Sequence, residues 1–498
     1  MTIVIDLVRT HALAKPGELA MGCAESGRRW TWAAFDGAVD RLAAWLCTRL
    51  GPSSGSRVAV VARNHPLQLV LQFACARSGA IFVPLSWRLA PAELAAILTD
   101  ADPALLFHDP EFALSEASIE SQLLAELESL GEPQATPPPT ARCGWDTPMT
   151  LLYTSGTSGK PKGVIVSDAN AFWGSTNFNL GNGVSTDSVF LCDMPLFHTA
   201  GLFAAARSPL LAGAAVWISA GFDPAKTIAR IADPRLAISH YFSVPQMAAT
   251  LWQHSDFAPE KFARLTVYAT GGAPNPSAQI ERYVRAGIPM SDGFGMTETM
   301  SNFAMPVSDP ALILAKAGSC GLPLLTVQSR IVDPDGNDVE LGTAGELRIK
   351  GPSVSPGYWN QPELTAKAFV DGWFKTGDVA RRDADGFTFI VDRAKDMFIS
   401  GGENVYPAEV EAVLAQLPEV AQAAVIGVPD QRWGEVGKAF IVAASGTEVS
   451  TTTVLAHCAA QLAKFKVPAS VEIVTALPVT GSGKVQKHLL AALNQAGE

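Results

Sequence analysis

The chain has 498 residues, of which 48% are hydrophobic and 17% charged, and its formal net charge is −11. Such a length exceeds what a single hydrophobic core supports, so we expect several structural units. The composition is that of an ordinary globular protein, and the negative net charge argues against a nucleic-acid partner, which would require clustered Lys and Arg. Seven cysteines without C-x-x-C spacing favour reduced thiols over a disulfide framework or a zinc site.

The beginning of the chain and its apolar runs bear on localisation. Asp6 and Arg9 interrupt the apolar patch at the N-terminus, so we do not expect a signal peptide there. No uninterrupted apolar run approaches the ~20 residues that a membrane-spanning helix needs. The sequence therefore predicts a cytoplasmic protein without a membrane span, and it leaves a homodimer open.

Residues 57–85 show the first clear pattern of elements, because two β-branched runs flank a helical stretch that ends near Gly79. This pattern predicts a strand–helix–strand unit, and therefore a parallel sheet with helices on its faces. Similar alternation continues to about residue 330. The Pro-rich residues 133–148 are predicted to form a connecting loop before the strand MTLLYT.

Beyond about residue 380 the pattern changes, and short strands dominate. Two helices are predicted between these strands, at 407–417 and 450–465. The first helix begins with Pro407, which suits a first helical turn, and its apolar face consists of Val410, Val413, Leu414 and Leu417. We therefore predict an α/β fold class, with a large N-terminal α/β body of several subdomains and a small, mobile α+β C-terminal domain.

The stretch YTSGTSGKPKGV (153–164) combines glycines, hydroxyl side chains and lysines. Glycines let backbone N–H groups approach a ligand, and Lys160 and Lys162 add positive charge, so the loop has the chemistry of a cradle for nucleotide phosphates. It is not a Walker A loop, because Thr154 stands where the first glycine belongs and Pro161 stands where Ser or Thr belongs. A flexible surface loop remains the alternative.

Further polar clusters interrupt apolar sequence, and each has a structural alternative when taken alone. His198 could be a satisfied core residue, Glu298 a helix cap, Asp378 a turn residue and Lys484 a surface lysine. Their order along the chain is what makes a pattern. The clusters are MPLFHTAGLF (194–203), YATGGAPNP (268–276), DGFGMTET (292–299), the stretch from WFKTGDVARR to ENVYPAEVE (373–411), and PVTGSGKVQK (478–487).

Together with the loop at 153–164, this ordered set closely resembles the acyl-adenylate-forming superfamily, which holds acyl-CoA synthetases, luciferases and peptide-synthetase adenylation domains. The resemblance extends from about residue 10 to about residue 490, and it is strongest to bacterial fatty-acyl-CoA and feruloyl-type aryl-CoA ligases. It implies an AMP-forming acid–CoA ligase that uses ATP, Mg²⁺ and coenzyme A. A carboxylic acid and ATP would give an acyl-adenylate and pyrophosphate, and CoA would then displace AMP to give the thioester.

For the first half-reaction, the resemblance assigns catalytic roles to Lys484, which bridges the acid carboxylate and the α-phosphate, and to Thr297 and Glu298, with Glu298 on Mg²⁺. The charges suit these roles, since a cation offsets the repulsion between two anions and Mg²⁺ prefers carboxylate oxygen. Asp378 would accept hydrogen bonds from the ribose hydroxyls, and Arg393 would steady ribose and phosphate. The other implied ATP- or AMP-binding residues are Thr154, Ser155, Gly156, Thr157, Ser158, Gly159, Lys160, Lys162, Gly272, Ala273, Pro274, Asp292, Gly293, Phe294, Gly295 and Met296. Of these, Gly293, Phe294 and Gly295 are implied to border the adenine.

For the second half-reaction, the resemblance implies that a C-terminal lid domain, 395–498, swings about a hinge at Lys395 relative to an adenylation domain, 1–394. His198 matches a catalytic gate between the CoA tunnel and the acid pocket. Implied CoA-binding residues are Ser400, Gly401, Gly402, Glu403, Arg432 and Trp433, although the last two could instead bridge the domains. The acid pocket is implied at Phe197, Gly201, Leu202, Tyr268, Gly271 and Met300.

The implied substrate is a hydrophobic monocarboxylic acid, either aliphatic or aromatic. Residues 198–204 hold no acidic side chain, which disfavours an amino acid, and the implied pocket holds no cation for a second carboxylate. The sequence departs from the family pattern at Phe294, where Tyr is usual, and at Asp168, where His is common. Two other functions stay open: an acyl-AMP ligase that loads a carrier protein, and an ATP-binding regulator without catalysis.

Overall fold

The computed structural model describes residues 6–112, 119–131, 144–155, 161–393, 396–400, 403–430, 432–480 and 485–496. Within these ranges only the backbone is described for Ser155, Asp392, Arg393, Glu403, Asn404 and residues 493–496. Helices and strands alternate through most of the chain, and a smaller α+β unit follows the large body. The predicted fold class is therefore confirmed.

The helices and strands are numbered in chain order. The α-helices are α1 Leu7–Ala14, α2 Trp32–Leu50, α3 Pro66–Ser78, α4 Pro91–Ala101, α5 Asp168–Gly181, α6 Ser208–Ala212, α7 Pro224–Ala232, α8 Pro245–Gln253, α9 Ser277–Arg285, α10 Pro310–Ala315, α11 Pro362–Ala368, α12 Pro407–Leu414, α13 Thr451–Gln461 and α14 Lys487–Ala496. The strands of the large body are β1 Leu19–Cys23, β2 Arg29–Thr31, β3 Arg57–Val61, β4 Ile81–Leu85, β5 Leu105–His108, β6 Glu120–Leu123, β7 Pro148–Ser155, β8 Pro161–Ser167, β9 Val189–Cys192, β10 Ala215–Ile218, β11 His240–Ser243, β12 Val267–Thr270, β13 Met290–Met296, β14 Met300–Ala304, β15 Leu322–Pro323, β16 Gln328–Val332, β17 Gly345–Lys350, β18 Phe369–Val370, β19 Trp373–Arg382 and β20 Thr388–Arg393. The remaining strands are β21 Phe398–Ser400, β22 Glu403–Val405, β23 Val420–Asp430, β24 Gly434–Ala443 and β25 Ser470–Ile473.

The strand–helix–strand unit predicted at 57–85 is confirmed as β3, α3 and β4, and the two strands pair in parallel. Local chemistry explains the ends of α3. The ring of His65 accepts a hydrogen bond from the N–H of Leu67 at 3.2 Å, and Pro66 occupies the first turn. Gly79 ends the helix in the left-handed region with φ 81°, a conformation that a residue without Cβ adopts at little cost.

Two large sheets build the body. A six-stranded sheet has the order β6-β5-β3-β4-β7-β8, and a nine-stranded sheet has the order β15-β14-β13-β12-β11-β9-β10-β1-β2. One buried apolar cluster draws Phe82 and Leu105 from the first sheet and Phe190 and Val216 from the second. The shared core therefore holds the two sheets together, and burial of this apolar surface stabilises their arrangement.

The nine-stranded sheet brings several predicted motifs to one edge. Strands β9, β11, β12 and β13 are parallel neighbours, so their carboxyl ends lie on the same side of the sheet. The chain leaves these ends through residues 193–199 and 271–276, which contain two of the predicted clusters. The carboxyl edge of a parallel sheet is the usual position for a ligand.

A separate antiparallel sheet, in the order β16-β17-β19-β18, also pairs β19 with β20. Its register places Asp378 opposite Arg393. Two predicted nucleotide-binding residues of the same cluster are therefore neighbours across a ladder.

The C-terminal unit confirms the pattern predicted beyond residue 380. Its sheet has the order β22-β21-β24-β23, with β25 beside β24. Helix α12 begins at Pro407, and the predicted apolar face, with Val410, Val413, Leu414 and Leu417, is buried. Helix α14 was not among the predicted elements. The predicted domain boundary at 394/395 falls between β20 and β21, outside the described residues, and stays a prediction.

None of the helices in the described ranges is both long and apolar enough to cross a membrane.

Candidate active site

The two ends of the predicted phosphate loop lie on β7 and β8, which pair in antiparallel register. The register pairs Thr154 with Lys162 and Ser155 with Pro161, so the ladder fixes both ends of the loop. The ammonium of Lys162 lies 5.6 Å from the ring centre of Tyr358. The predicted residues Gly156, Thr157, Ser158, Gly159 and Lys160 lie outside the described residues, so their assignment stays a prediction.

Thr297 and Glu298 stand in the short turn between β13 and β14, which pair in antiparallel register. Met300 closes this turn with φ 57°, a left-handed conformation that is uncommon for a residue with a side chain. A side chain at Gly295 would overlap the carbonyl oxygen of Met300, so this position requires glycine. The turn therefore holds Thr297 and Glu298 in a defined place at the end of β13.

Neighbouring segments hold the two side chains of this turn. The hydroxyl of Tyr358 donates to Glu298 Oε1 at 3.0 Å, and the N–H of Ser355 donates to the Glu298 carbonyl at 2.7 Å. The hydroxyl of Thr199 donates to Thr297 Oγ1 at 3.1 Å. Since Thr199 follows His198 directly, this contact brings two of the predicted clusters together.

Asp292, at the predicted adenine border, is buried in a polar network. The hydroxyl of Thr270 lies 2.9 Å from Asp292 Oδ1 and also 2.9 Å from the Ser291 carbonyl, and it accepts from Asn275 Nδ2 at 2.9 Å. A hydroxyl carries one hydrogen, so a protonated Asp292 that donates to Thr270 satisfies both contacts. Burial raises the pKa of Asp292 to about 8, which agrees with a proton at this position.

Asp378, the predicted ribose ligand, is buried on β19, and its N–H donates to Thr376 Oγ1 at 3.0 Å. Backbone pairing connects it to the adenine border. Gly321 bridges to Thr388 on β20, the strand beside β19, and Leu322 pairs with Ala304, which in turn pairs with Gly293. The structure thus brings the predicted adenine and ribose residues into one region. The side chain of Arg393 is not among those described.

The predicted gate lies in the loop after β9. The rings of Phe197 and His198 are 4.7 Å apart, and Phe197 is buried. Asn64 fixes this loop from the other large sheet, since it donates to the Met194 carbonyl at 2.8 Å and accepts from the N–H of Leu196 at 2.8 Å. Asn64 was not identified from the sequence.

The helix that follows the gate is a π-helix, Ala200–Arg207, a rare form that is frequent at functional sites. Gly201 lies in its first turn, where a Cβ atom would overlap the carbonyl of Pro195. Arg207, at the end of the π-helix, lies 4.0 Å from the Asp168 carboxylate. Asp168, one of the two departures from the family pattern, therefore has a cationic neighbour.

The predicted acid-pocket residues divide between two cores. Leu202 and Met300 belong to the apolar cluster shared by the two large sheets, and Phe197 is also buried. A Cβ atom at Gly271 would lie 3.5 Å from the ring of Phe242, in the same cluster. Tyr268 differs, because its side chain lies in a second core. Its hydroxyl lies 3.1 Å from that of Ser243, so the Tyr268 side chain packs apart from the other members of the predicted pocket, and its place in that pocket stays a prediction.

The predicted CoA-binding residues are only partly described. Ser400 is buried at the end of β21 and pairs with Glu403. The guanidinium of Arg432 lies 5.0 Å from the ring centre of Trp433, and the Trp433 side chain is exposed. The predicted residues Lys395, Gly401, Gly402 and Lys484 lie outside the described residues.

The residues of the site fit a magnesium ion that also binds substrate phosphates. Mg²⁺ usually takes one or two carboxylates together with phosphate oxygens, rather than an all-protein cage. Within the described ranges, no group of three or more His, Cys, Asp or Glu side chains could hold a metal ion. Glu298 supplies one carboxylate beside the stem of the predicted phosphate loop, as this mode of binding requires.

Comparison with known proteins identifies the class that this arrangement defines. Residues 8–359 match the family described as AMP-binding enzyme, and residues 409–484 match its C-terminal domain. The chain belongs to the AMP-binding enzyme family, within the acyl-adenylate-forming superfamily, and its enzyme class is that of the AMP-forming acid–CoA ligases.

Individual relatives are similar along nearly the whole chain. A feruloyl-CoA synthase of Amycolatopsis is 40% identical over 463 residues, covering 93% of each chain. A long-chain-fatty-acid–CoA ligase, FadD13, of Mycobacterium tuberculosis is 34% identical over 500 residues, covering 97% of each chain. The structure of o-succinylbenzoate CoA synthetase from Bacillus subtilis, in complex with ATP and magnesium ion, matches with a TM-score of 0.87 at 30% identity, over 98% of this chain and 99% of that chain.

Proposed function

We propose that this enzyme activates a hydrophobic monocarboxylic acid, aryl or fatty, with ATP and then transfers the acyl group to CoA. In the first half-reaction, a carboxylate oxygen attacks the α-phosphorus of ATP, an acyl-adenylate forms and pyrophosphate leaves. In the second, the CoA sulfur attacks the acyl carbon, the thioester forms and AMP leaves. Two anions must meet in the first step, so positive charge has to be positioned between them.

The observation that carries this proposal is the convergence of separate motifs. Tyr358 connects the phosphate-loop stem to Glu298, and the backbone pairs Gly293–Ala304, Ala304–Leu322 and Gly321–Thr388 connect the adenine border to the sheet that holds Asp378. Contacts of this kind fit a nucleotide whose base, ribose and phosphates lie in sequence along one edge.

The roles follow from the chemistry of each side chain. The loop at 153–164 and Lys162 would bind phosphates, and Asp378 would accept hydrogen bonds from ribose. Gly293, Phe294 and Gly295 would border the adenine. Glu298 would hold Mg²⁺, which neutralises phosphate charge when bound. Lys484 would bridge the acid carboxylate and the α-phosphate.

The preference for a hydrophobic acid rests on the surroundings of the gate. Phe197, Leu202 and Met300 are apolar and buried, so an apolar acyl group that packs among them would leave water at a gain of roughly 25 cal/mol per Å² of its own surface. A second carboxylate there would need a cation. The names of the relatives, one for feruloyl and one for long-chain fatty acids, support both kinds of apolar acid.

To test this proposal, purified protein is incubated with ATP, Mg²⁺, CoA and one of three acids. The acids are an arylpropenoic acid, a fatty acid and a dicarboxylic acid, all with the same number of carbon atoms. Mass spectrometry then identifies the acyl-adenylate and the thioester. We expect thioester from one of the monocarboxylic acids and least product from the dicarboxylic acid. Acyl-adenylate without thioester would indicate a carrier-protein acceptor. No acid-dependent pyrophosphate across a broad acid panel would indicate a non-catalytic ATP-binding protein.

A further inference from the structure

Residues 355–361, here called the edge segment, run along the outer side of β8. The N–H of Ile165 donates to the Gly357 carbonyl at 3.0 Å, and the N–H of Trp359 donates to the Gly163 carbonyl at 2.7 Å. Val164 and Tyr358 face each other in an antiparallel bridge. Since β8 is the last strand of the six-stranded sheet, the edge segment satisfies its outer backbone groups and lies directly against the strand that leaves the phosphate loop.

Tyr358 is the residue of the edge segment that reaches the nucleotide site. Its hydroxyl donates to Glu298 Oε1 at 3.0 Å, and the Lys162 ammonium lies 5.6 Å from its ring centre. Its own N–H donates to Thr365 Oγ1 at 2.9 Å. The side chain is therefore fixed at its base and contacts one anion and one cation at two different parts of the ring.

This arrangement keeps apart two charges that would otherwise attract each other. Glu298 is proposed to bind a metal ion, and Lys162 is proposed to bind phosphate. A direct Lys–Glu ion pair would occupy both groups. The electron-rich face of a phenol attracts an ammonium group, while its O–H binds a carboxylate, so one tyrosine holds both partners without pairing them.

We propose that Tyr358 is a positioning residue: its hydroxyl orients the Glu298 carboxylate for the metal ion, and its ring keeps the Lys162 ammonium available to phosphate. This inference rests on the proposed function, since it takes Glu298 as the magnesium ligand. Partners that orient a metal ligand through hydrogen bonds typically contribute about 10–100-fold to metal affinity or activity.

The central experiment compares Tyr358→Phe with the unchanged chain. Mn²⁺ is titrated into full-length protein that holds a non-hydrolysable ATP analogue, and free Mn²⁺ is followed by electron paramagnetic resonance. We expect Tyr358→Phe to weaken Mn²⁺ binding about 10-fold or more, because the ring remains but the hydroxyl is lost. Binding of the analogue without metal, and thioester formation from pre-made acyl-adenylate and CoA, should stay within about twofold, since neither needs the oriented carboxylate.

A second substitution, Tyr358→Leu, removes the ring as well. It should additionally weaken binding of the metal-free analogue, because Lys162 can then pair with Glu298. Tyr283→Phe is the matched control, since the Tyr283 hydroxyl donates to the Ala248 carbonyl at 2.6 Å in the second core. It should leave Mn²⁺ binding unchanged.

Glu298→Gln separates failure of this inference from failure of the proposed function. If Glu298→Gln leaves Mn²⁺ binding intact, the metal assignment itself is wrong and the inference falls with it. If Glu298→Gln abolishes Mn²⁺ binding but Tyr358→Phe does not weaken it, only the positioning role is overturned. Equal losses by Tyr358→Phe in metal binding, metal-free binding and thioester formation would also overturn it, because they would indicate a general structural role.

Discussion

Arg77 donates from its Nε atom to Asp6 Oδ2 at 2.9 Å, although only 2% of the Arg77 side chain is exposed to solvent. The same guanidinium also pairs with Asp36 and Asp40. Asp6 caps the first helix, Asp36 and Asp40 lie on α2, and Arg77 lies on α3. One buried cation therefore ties the start of the chain to two helices of the main core.

Loss of this cation should destabilise the fold strongly. Arg77→Met leaves three partly buried carboxylates without this partner, although Asp36 and Asp40 keep Arg9, so we expect the free energy of unfolding to fall by up to about 3–5 kcal/mol. Urea unfolding measures the change. Arg49→Met is the control, because Arg49 pairs with Glu120 at the surface, where half of its side chain is exposed, and a surface pair contributes at most about 1 kcal/mol. Equal effects of the two substitutions would contradict a special role for Arg77.

The buried carboxyl group of Asp292 should make stability depend on pH. Burial raises its pKa to about 8 in the folded chain, against about 3.9 in an unfolded one. Between these values the folded chain keeps a proton that the unfolded chain has lost, so the free energy of unfolding falls as pH rises through that window. Asp292→Asn cannot ionise, so its stability relative to the unchanged chain should rise by up to about 1.4 kcal/mol per pH unit within the window.

Urea unfolding at about pH 5.5, 6.5 and 7.5 tests this dependence across the window. Asp233→Asn is the control, because hydrogen bonds from Arg235 lower the pKa of Asp233 to about 2, below the window. Its offset from the unchanged chain should be constant over this range. A constant offset for Asp292→Asn as well would show that Asp292 is ionised throughout.

Gly201 should not tolerate a side chain. Its Cβ would overlap the Pro195 carbonyl, so Gly201→Ala has to displace either the gate loop or the π-helix, at a cost of about 1–3 kcal/mol. We expect lower thermal stability and slower turnover of both half-reactions. Gly221→Ala serves as control because nothing lies within 4 Å of its added Cβ. Unchanged stability of Gly201→Ala would mean that the loop relaxes without strain.

Lys484 should act in one half-reaction only. Lys484→Ala removes the charge proposed to lie between carboxylate and α-phosphate, so acid-dependent pyrophosphate release should fall by roughly 10²–10³-fold. Thioester formation from pre-made acyl-adenylate should be retained. Lys487→Ala is a nearby control, since Lys487 pairs with Glu411 at 2.8 Å within the C-terminal unit. Equal loss of both half-reactions in Lys484→Ala would refute the separation.

Local sequence patterns predicted the elements well but not the contacts between distant segments. Apolar periodicity and Pro407 were enough to place α12, and β-branched runs around α3 were enough to place β3 and β4. Asn64 and Leu196 contact each other across 132 positions, and Tyr358 and Glu298 across 60. A periodicity over neighbouring residues carries no information on such pairs.

A second limit on prediction from the sequence concerns the two faces of a buried strand. Successive side chains of β12 point to opposite faces of the sheet, so Tyr268 and Ala269 belong to different cores. The sequence alone does not show which face of a buried strand adjoins a ligand, because both faces are apolar. The resemblance implied that Tyr268 lines the acid pocket. In the structure its side chain packs in the second core.

The edge segment also has a consequence for synthesis of the chain. Ser355 Oγ donates to the Ile165 carbonyl, and the two residues are 190 positions apart. While the ribosome is still adding the intervening residues, β8 has an uncovered edge, which is a template for pairing with other strands. The nascent protein therefore stays exposed to aggregation through β8 until the edge segment has emerged and docked.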